Sequence, residues 1–483
     1  MIRHGQSLKL RNLFMSEHSY DFDFVVIGGG SAGYAAARTA HENGLKTAVI
    51  DSAETLGGLC ILRGCMPSKT LIESANRMRS IRRSEEFGLW ANDFGSDSAK
   101  INDRKRVLIE DFAGYRQGQL EDGRFELIRE RAQFVDEHTL AVGDRKISFA
   151  TALIASGSKV SRIPIPGLEE AGYWTSDHVL DAREYPDSIV VLGGGAIALE
   201  MACFFEGIGK EVTVIQRSDQ VLTGSDRDVA DVVEKAMNEA ENCTVYTGTK
   251  LLHVEKAADG GKTVFFEHDG VEKSVTAGEI LQSLGRSANT DGLGLANAGV
   301  KLRDRGTQIY SDNEQVTSCP HIFAAGDVTG LLEIVHIAIE QGEIAAHNAA
   351  FLLGKKSSER KVMDYRLKLL GIFTHPEVAT VGLSEGEAEA EGRTVHVATY
   401  PFDDHGKSMV KGEIHGFVKL IADAESGELV GGAVVGPEAV DLIHEIVVAM
   451  YFRATASDLA KVPHYHPTLS EIWTYPAEDL AEM

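Results

Sequence analysis

Two cysteines, Cys60 and Cys65, stand five positions apart in a glycine-bounded segment that runs from residue 57 to residue 69. One helical turn at this spacing brings the two sulfurs to the short separation that a disulfide requires. A thiolate at the start of a helix is stabilised by the helix dipole, so its pKa falls and it becomes a usable nucleophile. Two small apolar side chains or half of a zinc site are the alternatives, but zinc takes four ligands and no second pair at ligand spacing stands nearby. The spacing therefore predicts a redox-active dithiol and no metal site.

A histidine and a carboxylate near the C-terminus form the second candidate group. His466 precedes Glu471 by five residues. A histidine moves protons near neutral pH, and a neighbouring carboxylate orients its ring and raises its basicity. On its own such a histidine is usually a polar surface residue, so the acid–base interpretation depends on the dithiol elsewhere in the chain.

Composition narrows the classes of function. The chain has 483 residues, enough for about three domains, and 43% of them are apolar. A net charge of −24 argues against binding to the nucleic acid backbone, and no stretch approaches the length of a membrane span. Five cysteines do not make a secreted disulfide scaffold, so we expect a reducing, cytoplasmic location. The other three cysteines are predicted to be buried small side chains: Cys203, Cys243 and Cys319.

The element that must position the dithiol begins with a glycine fingerprint. Residues 22–27 predict a buried parallel strand that runs into Gly28, Gly30 and Gly33, then into a helix and a second strand ending at Asp51. Gly28 permits the tight turn, Gly30 lets backbone approach a pyrophosphate at the helix N-terminus, and Gly33 lets the helix lie close on the strand. Asp51 can accept hydrogen bonds from a ribose. The neighbouring dithiol suggests that this dinucleotide is a flavin.

The same pattern occurs a second time. Residues 188–192 predict a strand, Gly193, Gly195 and Ala198 supply the turn, and the next strand ends at Gln216. The distance from the first glycine to the end of the second strand is 23 positions in both units (51 − 28 and 216 − 193). Two units of equal internal spacing predict two dinucleotides in one chain.

Arg217 bears on the choice of nicotinamide cofactor. It follows Gln216 at the point where an NAD site usually carries an acid for the ribose 2′-hydroxyl. A carboxylate would repel a 2′-phosphate, whereas an arginine attracts one, so the sequence favours NADP(H) over NAD(H). NAD(H) stays the alternative, because single surface arginines are common and Thr223 adds no second positive charge.

A third stretch ends in Asp327, directly after a strand predicted from residues 319–325. This carboxylate is placed either to hold the sugar-alcohol chain of a flavin or to cap the helix that follows. The sequence leaves both roles open.

With these motifs together, the chain resembles the FAD-containing pyridine nucleotide–disulfide oxidoreductases, from about Asp21 to Glu471. The segment 466–471, His-Pro-Thr-Leu-Ser-Glu, is most similar to the dihydrolipoamide dehydrogenases of that family, and glutathione and mercuric reductases are also similar. The resemblance implies an α/β fold with two Rossmann-like domains, for FAD and for NAD(P), and a C-terminal α+β dimerisation domain. The expected boundaries are an N-terminal segment 1–20 that is disordered, an FAD domain of 21–155 and 286–357, an NAD(P) domain of 156–285 and a dimerisation domain of 361–483.

The resemblance also implies roles for individual residues. Cys60 is the interchange thiol that reacts with substrate, and Cys65 is the thiol that forms a charge-transfer complex with the flavin. His466, assisted by Glu471, moves protons to and from Cys60. Lys69 and Glu200 match a pair that lies near the flavin ring. The residues implied to hold FAD are Gly28, Gly30, Gly33, Asp51, Lys69, Gly157 and Asp327, and those implied to hold the nicotinamide cofactor are Gly193, Gly195, Ala198 and Arg217.

In this family the histidine reaches the disulfide from the other subunit, so the resemblance implies a homodimer with its active site at the interface. It further implies a small dithiol or disulfide substrate and, for the dihydrolipoamide dehydrogenase branch, association with a 2-oxoacid dehydrogenase complex. No nucleic acid or membrane partner is expected.

Some positions depart from the dihydrolipoamide dehydrogenase pattern. Leu59, Leu62 and Arg63 stand where those enzymes usually have Thr, Asn and Val. Arg63 either lowers a thiol pKa, meets an anionic substrate or only faces solvent. The last residues, 477–483, carry no thiol, which argues against metal handling and against relay through a tail. The alternatives that remain open are an NADPH-dependent reductase of another small disulfide or oxidant and a flavin diaphorase or transhydrogenase. A binding subunit without chemistry would have an interrupted dithiol or lack the histidine, and neither is seen.

Overall fold

The computed structural model of the chain describes residues 19–258, 260–303, 306–356 and 359–483. The predicted disordered segment, 1–20, lies almost wholly outside these residues. The chain divides into two compact units. The first contains residues up to 67, residues 104–161 and residues 286–364, and the second contains residues 68–103, 162–285 and 365–483.

The first unit is built on a seven-stranded sheet that carries the first glycine fingerprint. Its strand order is Glu126–Ile128, Thr47–Ile50, Phe22–Ile27, Arg145–Ile154, Thr139–Val142 and Ala132–Phe134. The seventh strand, Ile322–Ala324, also pairs with Arg145–Ile154. The pairs around the fingerprint strand are parallel. Ser158–Val160 and Arg286–Ala288 form a separate antiparallel pair.

Helices cover this sheet. Ser31–Glu42 and Val335–Leu352 pack together through alanines that have almost no exposed surface. Small side chains permit this close approach, and the apolar strand residues beneath, including Phe24 and Val26, complete the core. Two further helices, Gly58–Leu62 and the start of Cys65–Arg82, bear the dithiol. The helix Ser98–Leu120 enters this unit at residue 104.

The second unit contains a four-stranded parallel sheet in the order Cys243–Tyr246, Glu211–Ile215, Ser188–Leu192 and Glu279–Gln282. Its helices include Ala196–Gly207 and Arg227–Glu239. A three-stranded antiparallel sheet follows along the chain, made of Lys250–Lys256, Lys262–His268 and Val271–Ala277. The shorter helices of this part are Leu168–Ala171 and Ser176–Asp181.

The C-terminal part of the second unit is a five-stranded antiparallel sheet. Its order is Leu369–Ile372, Glu377–Gly382, Leu429–Gly436, Phe417–Asp423 and Val395–Pro401. The buried Trp473 joins the apolar core between this sheet and its helices. Those helices are Glu385–Ala390, Gly406–Lys411, Ala439–Tyr451, Ala456–Leu459 and Thr474–Glu482.

The predicted α/β class is therefore confirmed, with one mixed and one parallel sheet that each carry a glycine fingerprint and an antiparallel α+β part at the C-terminal end. Within the residues described, no helix combines the length and the apolar character that crossing a membrane requires.

Candidate active site

The two cysteines lie on separate helices. Cys60 is in the short helix Gly58–Leu62, and Cys65 is the first residue of the helix Cys65–Arg82. The expected single helical turn between them is therefore wrong. The Arg63 amide donates a 2.8 Å hydrogen bond to the Leu59 carbonyl, the first helix ends there, and Arg63 and Gly64 separate the two helices. The break places Cys65 at a helix N-terminus, where the helix dipole favours a thiolate.

The cysteine segment packs on the first glycine loop within the first unit. Gly58 has a φ of +71°, and a Cβ on Gly58 would lie 2.5 Å from the Cα of Gly30. Any side chain at this position would push the two segments apart. This contact fixes the dithiol helix beside the loop that is predicted to bind a flavin dinucleotide.

The first glycine loop has the shape that a pyrophosphate site requires. Gly28 has a φ of +106°, and a Cβ there would collide with the Ala155 carbonyl. A Cβ on Gly33 would overlap the Gly28 carbonyl, so the helix can approach the strand only with glycine at 33. Gly30 precedes the helix Ser31–Glu42 and offers no side-chain cap, so the first amides of this helix point at a site that an anion can fill.

Asp51 holds the same loop in shape. Its Oδ2 accepts a 2.7 Å hydrogen bond from the Gly29 amide, and its Oδ1 accepts a 2.8 Å bond from the Ala53 amide. The carboxylate thus lies at the end of the second strand, directly against the glycine turn.

Asp327 takes part in a polar chain rather than in a helix cap. Gly326 occupies the N-cap position of the short 3-10 helix Asp327–Thr329. The Asp327 carboxylate accepts a 2.6 Å bond from the Ser158 hydroxyl, which in turn accepts a 2.8 Å bond from Nε of Arg286. Of the two roles that the sequence left open, the structure therefore disfavours capping. Gly157, beside this serine, has a φ of +71°.

The second glycine loop repeats the first in the second unit. A Cβ on Gly193 would lie 2.5 Å from the Ser283 carbonyl, whereas nothing lies within 4 Å of a Cβ built on Gly195. Gly195 is the N-cap of the helix Ala196–Gly207 and supplies no side chain to it. Ala198 is buried in the first turn of that helix. The loop therefore leaves an open, electropositive helix end.

Arg217 is exposed just beyond the second strand. The guanidinium has no hydrogen bond or ion pair with any residue that the structure describes. Gln216 instead turns towards the loop, where its amide donates a 3.3 Å bond to the Gln220 carbonyl. The positive charge of Arg217 is thus uncompensated by the residues that the structure describes.

Lys69 and Glu200 form an ion pair within the second unit. Lys69 Nζ lies 2.7 Å and 2.8 Å from the two carboxylate oxygens of Glu200. Oε1 of Glu200 also accepts a 3.0 Å bond from the Phe373 amide, and Lys69 lies 4.7 Å from the centroid of the Phe373 ring. Lys69 is one turn beyond Cys65 on the same helix, so this pair fixes the side chain that follows the dithiol.

His466 and Glu471 contact each other as the sequence suggested. Nδ1 of His466 lies 2.9 Å from Oε2 of Glu471. The imidazole is 79% exposed and the carboxylate only 12%. A largely buried carboxylate therefore orients an exposed ring, with Nε2 directed away from the pair.

A second histidine, His405, lies near the other oxygen of Glu471. No sequence motif indicated this contact. Nε2 of the buried His405 lies 3.5 Å from Oε1 of Glu471, and Nδ1 of His405 lies 2.8 Å from the Ser408 hydroxyl. Burial lowers the pKa of His405, which favours the neutral ring.

The residues present fit both dinucleotides. The Ser156 hydroxyl in the first unit and the Ser283 hydroxyl in the second are buried, and neither has a hydrogen-bond partner among the described residues. Each follows the strand next to its glycine loop, where a bound ligand would supply the missing partner. The dithiol belongs to the first unit and the His466–Glu471 pair to the second.

One acidic group in the second unit has the ligand types of a cation site. Asp226, Asp228 and Glu385 place carboxylate oxygens within 4.8 Å of one another. The Lys419 ammonium lies 2.6 Å from Asp228 and 2.5 Å from Glu385, so a protein cation already neutralises this cluster.

Two family models match the chain. Residues 22–342 match the family described as pyridine nucleotide-disulphide oxidoreductase, and residues 370–477 match the dimerisation domain of that family. The chain belongs to the pyridine nucleotide-disulphide oxidoreductases. Membership supports FAD and a nicotinamide nucleotide as the cofactors of the two glycine loops.

Relatives of this oxidoreductase carry several names. A dihydrolipoyl dehydrogenase of Mycobacterium bovis is 36% identical over 93% of this chain and 96% of its own length. A dihydrolipoyl dehydrogenase of Bacillus subtilis is 33% identical over 96% of this chain and 98% of its own. A mercuric reductase of Staphylococcus aureus is 34% identical over 91% and 79%.

A solved structure is also similar. The HOCl-induced flavoprotein disulfide reductase RclA from Escherichia coli superposes with a TM-score of 0.82, covering 94% of this chain and 99% of its own at 25% identity. The names of these similar proteins all denote redox enzymes and differ in substrate.

Arg286 and Phe373 also contact residues of the site, although no sequence motif gave either of them a role. Arg286 lies 128 positions from Ser158, and Phe373 lies 173 positions from Glu200. Neither contact belongs to a local motif, so no spacing rule could have revealed it.

Proposed function

We propose that this oxidoreductase passes electrons between NADP(H), FAD and a Cys60–Cys65 disulfide, with a small dithiol or disulfide as substrate, in the manner of a dihydrolipoamide dehydrogenase. The observation that carries the proposal is the contact of Gly58 with Gly30, because it sets the dithiol helix against the glycine loop of a dinucleotide within one compact unit. Bound FAD would accept an electron pair from the dithiol and transfer it to the nicotinamide.

The dithiol exchange is performed by the chain's own sulfurs. A substrate thiolate attacks Sγ of Cys60, the Cys60–Cys65 bond breaks, and Cys65 leaves as a thiolate. The second substrate thiolate then attacks the substrate sulfur of the mixed disulfide and releases Cys60 as a thiolate. The substrate leaves as a disulfide, and its two electrons remain on the two enzyme sulfurs.

His466 handles the protons of this exchange. Glu471 accepts a hydrogen bond from Nδ1–H, which leaves Nε2 as the basic nitrogen. Nε2 takes the proton from the attacking substrate thiol and later releases it to solvent. In the reverse direction the same nitrogen delivers a proton to the leaving thiolate.

The proposed enzyme is a homodimer in which His466 serves the partner subunit's dithiol. The dimerisation-domain match at 370–477 supports this assignment. Exposed apolar side chains in the same part of the chain also support it, because a stable monomer surface seldom carries so many. They are Val448, Tyr451, Phe452 and Tyr465.

We also propose a nicotinamide preference, a cellular location and a partner complex. The open Arg217 guanidinium favours NADP(H) over NAD(H). The cysteine usage favours a cytoplasmic location. The similarity to dihydrolipoyl dehydrogenases supports association with a 2-oxoacid dehydrogenase complex, and co-purification of the complex's lipoyl-bearing subunit from the source cells would test that association.

The test is oxidation of dihydrolipoamide by purified enzyme with NAD⁺ and NADP⁺ side by side. We expect turnover, with higher kcat/KM for NADP⁺. C60S should abolish dithiol turnover, while NADPH-dependent reduction of a quinone or dye persists because it needs only the flavin. Dithiol turnover that survives C60S would refute the proposed mechanism.

A second candidate function is an NADPH-dependent reductase of another small disulfide or oxidant. Leu59 and Leu62 depart from the dihydrolipoamide dehydrogenase pattern, and the similar proteins include a mercuric reductase and RclA. An NADPH-dependent reductase of another small disulfide or oxidant would show no dihydrolipoamide oxidation but rapid flavin reduction by NADPH. A diaphorase or transhydrogenase would retain full activity in C60S.

The shared active site is tested with hybrid dimers. C60S and H466Q subunits are each inactive in dithiol exchange, but a C60S–H466Q hybrid contains one site with an intact cysteine and an intact histidine. Random association of equal amounts should restore about a quarter of the wild-type activity. No restoration, with hybrids demonstrated by two affinity tags, would place His466 and Cys60 of one site on the same chain.

A further inference from the structure

The loop of residues 463–469 carries His466 and makes few backbone contacts. Two of its residues, Pro463 and Pro467, have no amide hydrogen to donate. Within the part of the chain that the structure describes, no hydrogen bond between backbone groups involves residues 463–468. Side-chain contacts therefore hold this loop, and they determine where the imidazole of His466 lies.

One side chain of the loop points into the protein. Among residues 463–467 only His464 is not exposed, and its side chain retains 7% of its accessible surface. Nδ1 of His464 lies 2.9 Å from the Val462 carbonyl, which can only accept a hydrogen bond, so this nitrogen carries a hydrogen. Nε2 lies 2.6 Å from Oε1 of Glu445, whose side chain is 27% exposed. Both ring nitrogens therefore have a partner.

The contact between His464 and Glu445 requires a proton between the two side chains. Because Nδ1 keeps its hydrogen for the carbonyl, an Nε2 without a proton would place its lone pair against a negatively charged oxygen. A proton shared by the two atoms instead gives a hydrogen bond between oppositely charged groups, which is stronger than one between neutral groups. Water has little access to this pair, so it binds the loop firmly to the element that carries Glu445.

The helix that carries Glu445 also binds the chain beyond the loop. This helix is Ala439–Tyr451, and its Leu442 carbonyl accepts a 3.2 Å hydrogen bond from Nε1 of the fully buried Trp473. Positions 442 and 445 lie within one turn of the helix, so the two attachments are close together on it. His466 lies between these attachments along the chain. Its backbone is therefore held on both sides by one rigid element.

We propose that His464 and Glu445 are positioning residues for dithiol exchange, because their contact sets the place from which His466 exchanges protons. This inference rests on the proton role proposed for His466. Glu471 orients the imidazole ring, whereas the His464–Glu445 pair fixes the backbone that carries the ring. A misplacement of about 1 Å in a catalytic group can cost about 100-fold in rate. The rate of exchange therefore depends on two residues that take no proton from the substrate themselves.

The first test measures the two half-reactions separately by anaerobic stopped flow. Oxidised enzyme is reduced by dihydrolipoamide, and reduced enzyme is reoxidised by NADP⁺. We expect H464A and E445A to slow the dithiol half-reaction by about 10–100-fold and to leave the nucleotide half-reaction unchanged, because only the first uses His466. H464Q should recover part of the rate, since its amide nitrogen can still donate to Glu445. H396A, at an exposed histidine of the same antiparallel part, is the matched control and should change neither rate.

The second test asks whether the effect of His464 passes through His466. In an H466Q background no acid–base group remains to be positioned. The double variant H464A/H466Q should therefore reduce with dihydrolipoamide as fast as H466Q alone, although H464A slows the wild-type enzyme. A purely structural role would instead add the full loss of H464A to that of H466Q, and this additivity would overturn the inference.

Dithiothreitol separates a failure of this inference from a failure of the proposed function, because it exchanges with disulfides whatever the natural substrate is. If wild-type enzyme is reduced by dithiothreitol but not by dihydrolipoamide, the proposed substrate is wrong, and slower reduction of H464A by dithiothreitol would still support the inference. Wild-type rates of H464A and E445A with dithiothreitol would overturn it. Equal slowing of both half-reactions in H464A, E445A and H464Q would also overturn it, because the pair would then support only the fold.

Discussion

The Glu471 carboxylate lies 2.9 Å from Nδ1 of His466 and 3.5 Å from Nε2 of His405. One histidine is exposed and the other is fully buried. One oxygen of Glu471 therefore lies near a buried neutral ring, and the other oxygen orients the exposed ring of His466. The arrangement gives His466 one defined direction for proton exchange.

Loss of this orientation should slow dithiol exchange without stopping flavin reduction. We expect E471Q to reduce kcat for dihydrolipoamide oxidation by about 10–100-fold, because the amide can no longer enforce the Nδ1–H tautomer. The measurement is steady-state turnover, with NADPH–dye reduction as the internal control. Equal loss of both activities would mean that Glu471 supports the fold rather than His466.

The Lys69–Glu200 pair should contribute to stability through both charges. E200Q leaves the Lys69 ammonium without its carboxylate, and it weakens the acceptor of the Phe373 amide. Glu200 is 7% and Lys69 28% exposed, so we expect a loss of about 2–3 kcal/mol in the free energy of unfolding. Urea denaturation measures it.

A double-mutant cycle separates this pair from its surroundings. K69M/E200Q should be more stable than the sum of the two single variants predicts, because the uncompensated charge is then removed. Strict additivity of the two single changes would show that the ion pair does not couple the two residues.

Arg217 should set the preference between the two nicotinamide cofactors. A single charge-assisted contact to a phosphate corresponds to about tenfold or more in kcat/KM. We therefore expect R217E to lower the NADPH-to-NADH ratio of kcat/KM by at least about tenfold. Stopped-flow reduction of the enzyme by each nucleotide gives this ratio directly. A wild-type ratio that already favours NADH would contradict the assignment before any substitution is made.

Glu377 gives the stability of the protein a defined pH dependence. Burial raises the pKa of Glu377 from 4.5 to about 7, and repulsion from Glu438, Asp441 and Glu413 acts in the same direction. The Val440 amide, which donates a 3.3 Å bond to the carboxylate, acts in the opposite direction. Between pH 4.5 and 7 the unfolded chain releases this proton before the folded chain does. The contribution of Glu377 to stability is therefore present at low pH and is lost as the pH rises through 7.

The E377Q variant tests this dependence. Glutamine cannot ionise, so the free energy of unfolding of E377Q relative to wild type should be higher at pH 8 than at pH 5, by up to roughly 3 kcal/mol. Denaturation at the two pH values measures this difference. The exposed Glu389 provides the control, because E389Q should give the same difference at both pH values. Equal differences at pH 5 and pH 8 for E377Q would contradict the account.

Local sequence patterns predicted the two glycine loops well. A Cβ at Gly28, Gly33 or Gly193 would collide with backbone, so each position requires glycine. Such a requirement is visible in the sequence as a single residue type in the motif. The same holds for His466 and Glu471, which are five positions apart, with Glu471 in the short 3-10 helix Ser470–Trp473 that follows. The local part of each requirement is the positive φ of Gly28 and Gly193 and the short sequence separation of His466 from Glu471.

Other features depend on tertiary packing between distant residues, and no local sequence pattern predicts them. His405 reaches Glu471 only because the folded C-terminal part brings positions 66 residues apart together (471 − 405). The Asp327 role was ambiguous because its partner, Ser158, is 169 positions away. The break between Cys60 and Cys65 was missed because their spacing suits either one continuous turn or two short helices.

The most direct test of the central claim is an anaerobic titration of the oxidised enzyme with a strong reductant, counting electrons per subunit. A flavin accepts two electrons and a disulfide two more, so wild-type enzyme should take up about four and C60S about two. Thiol counting before and after reduction should show two additional thiols in wild type alone. Uptake of only two electrons by wild type, with no new thiols, would show that Cys60 and Cys65 are not a redox-active pair.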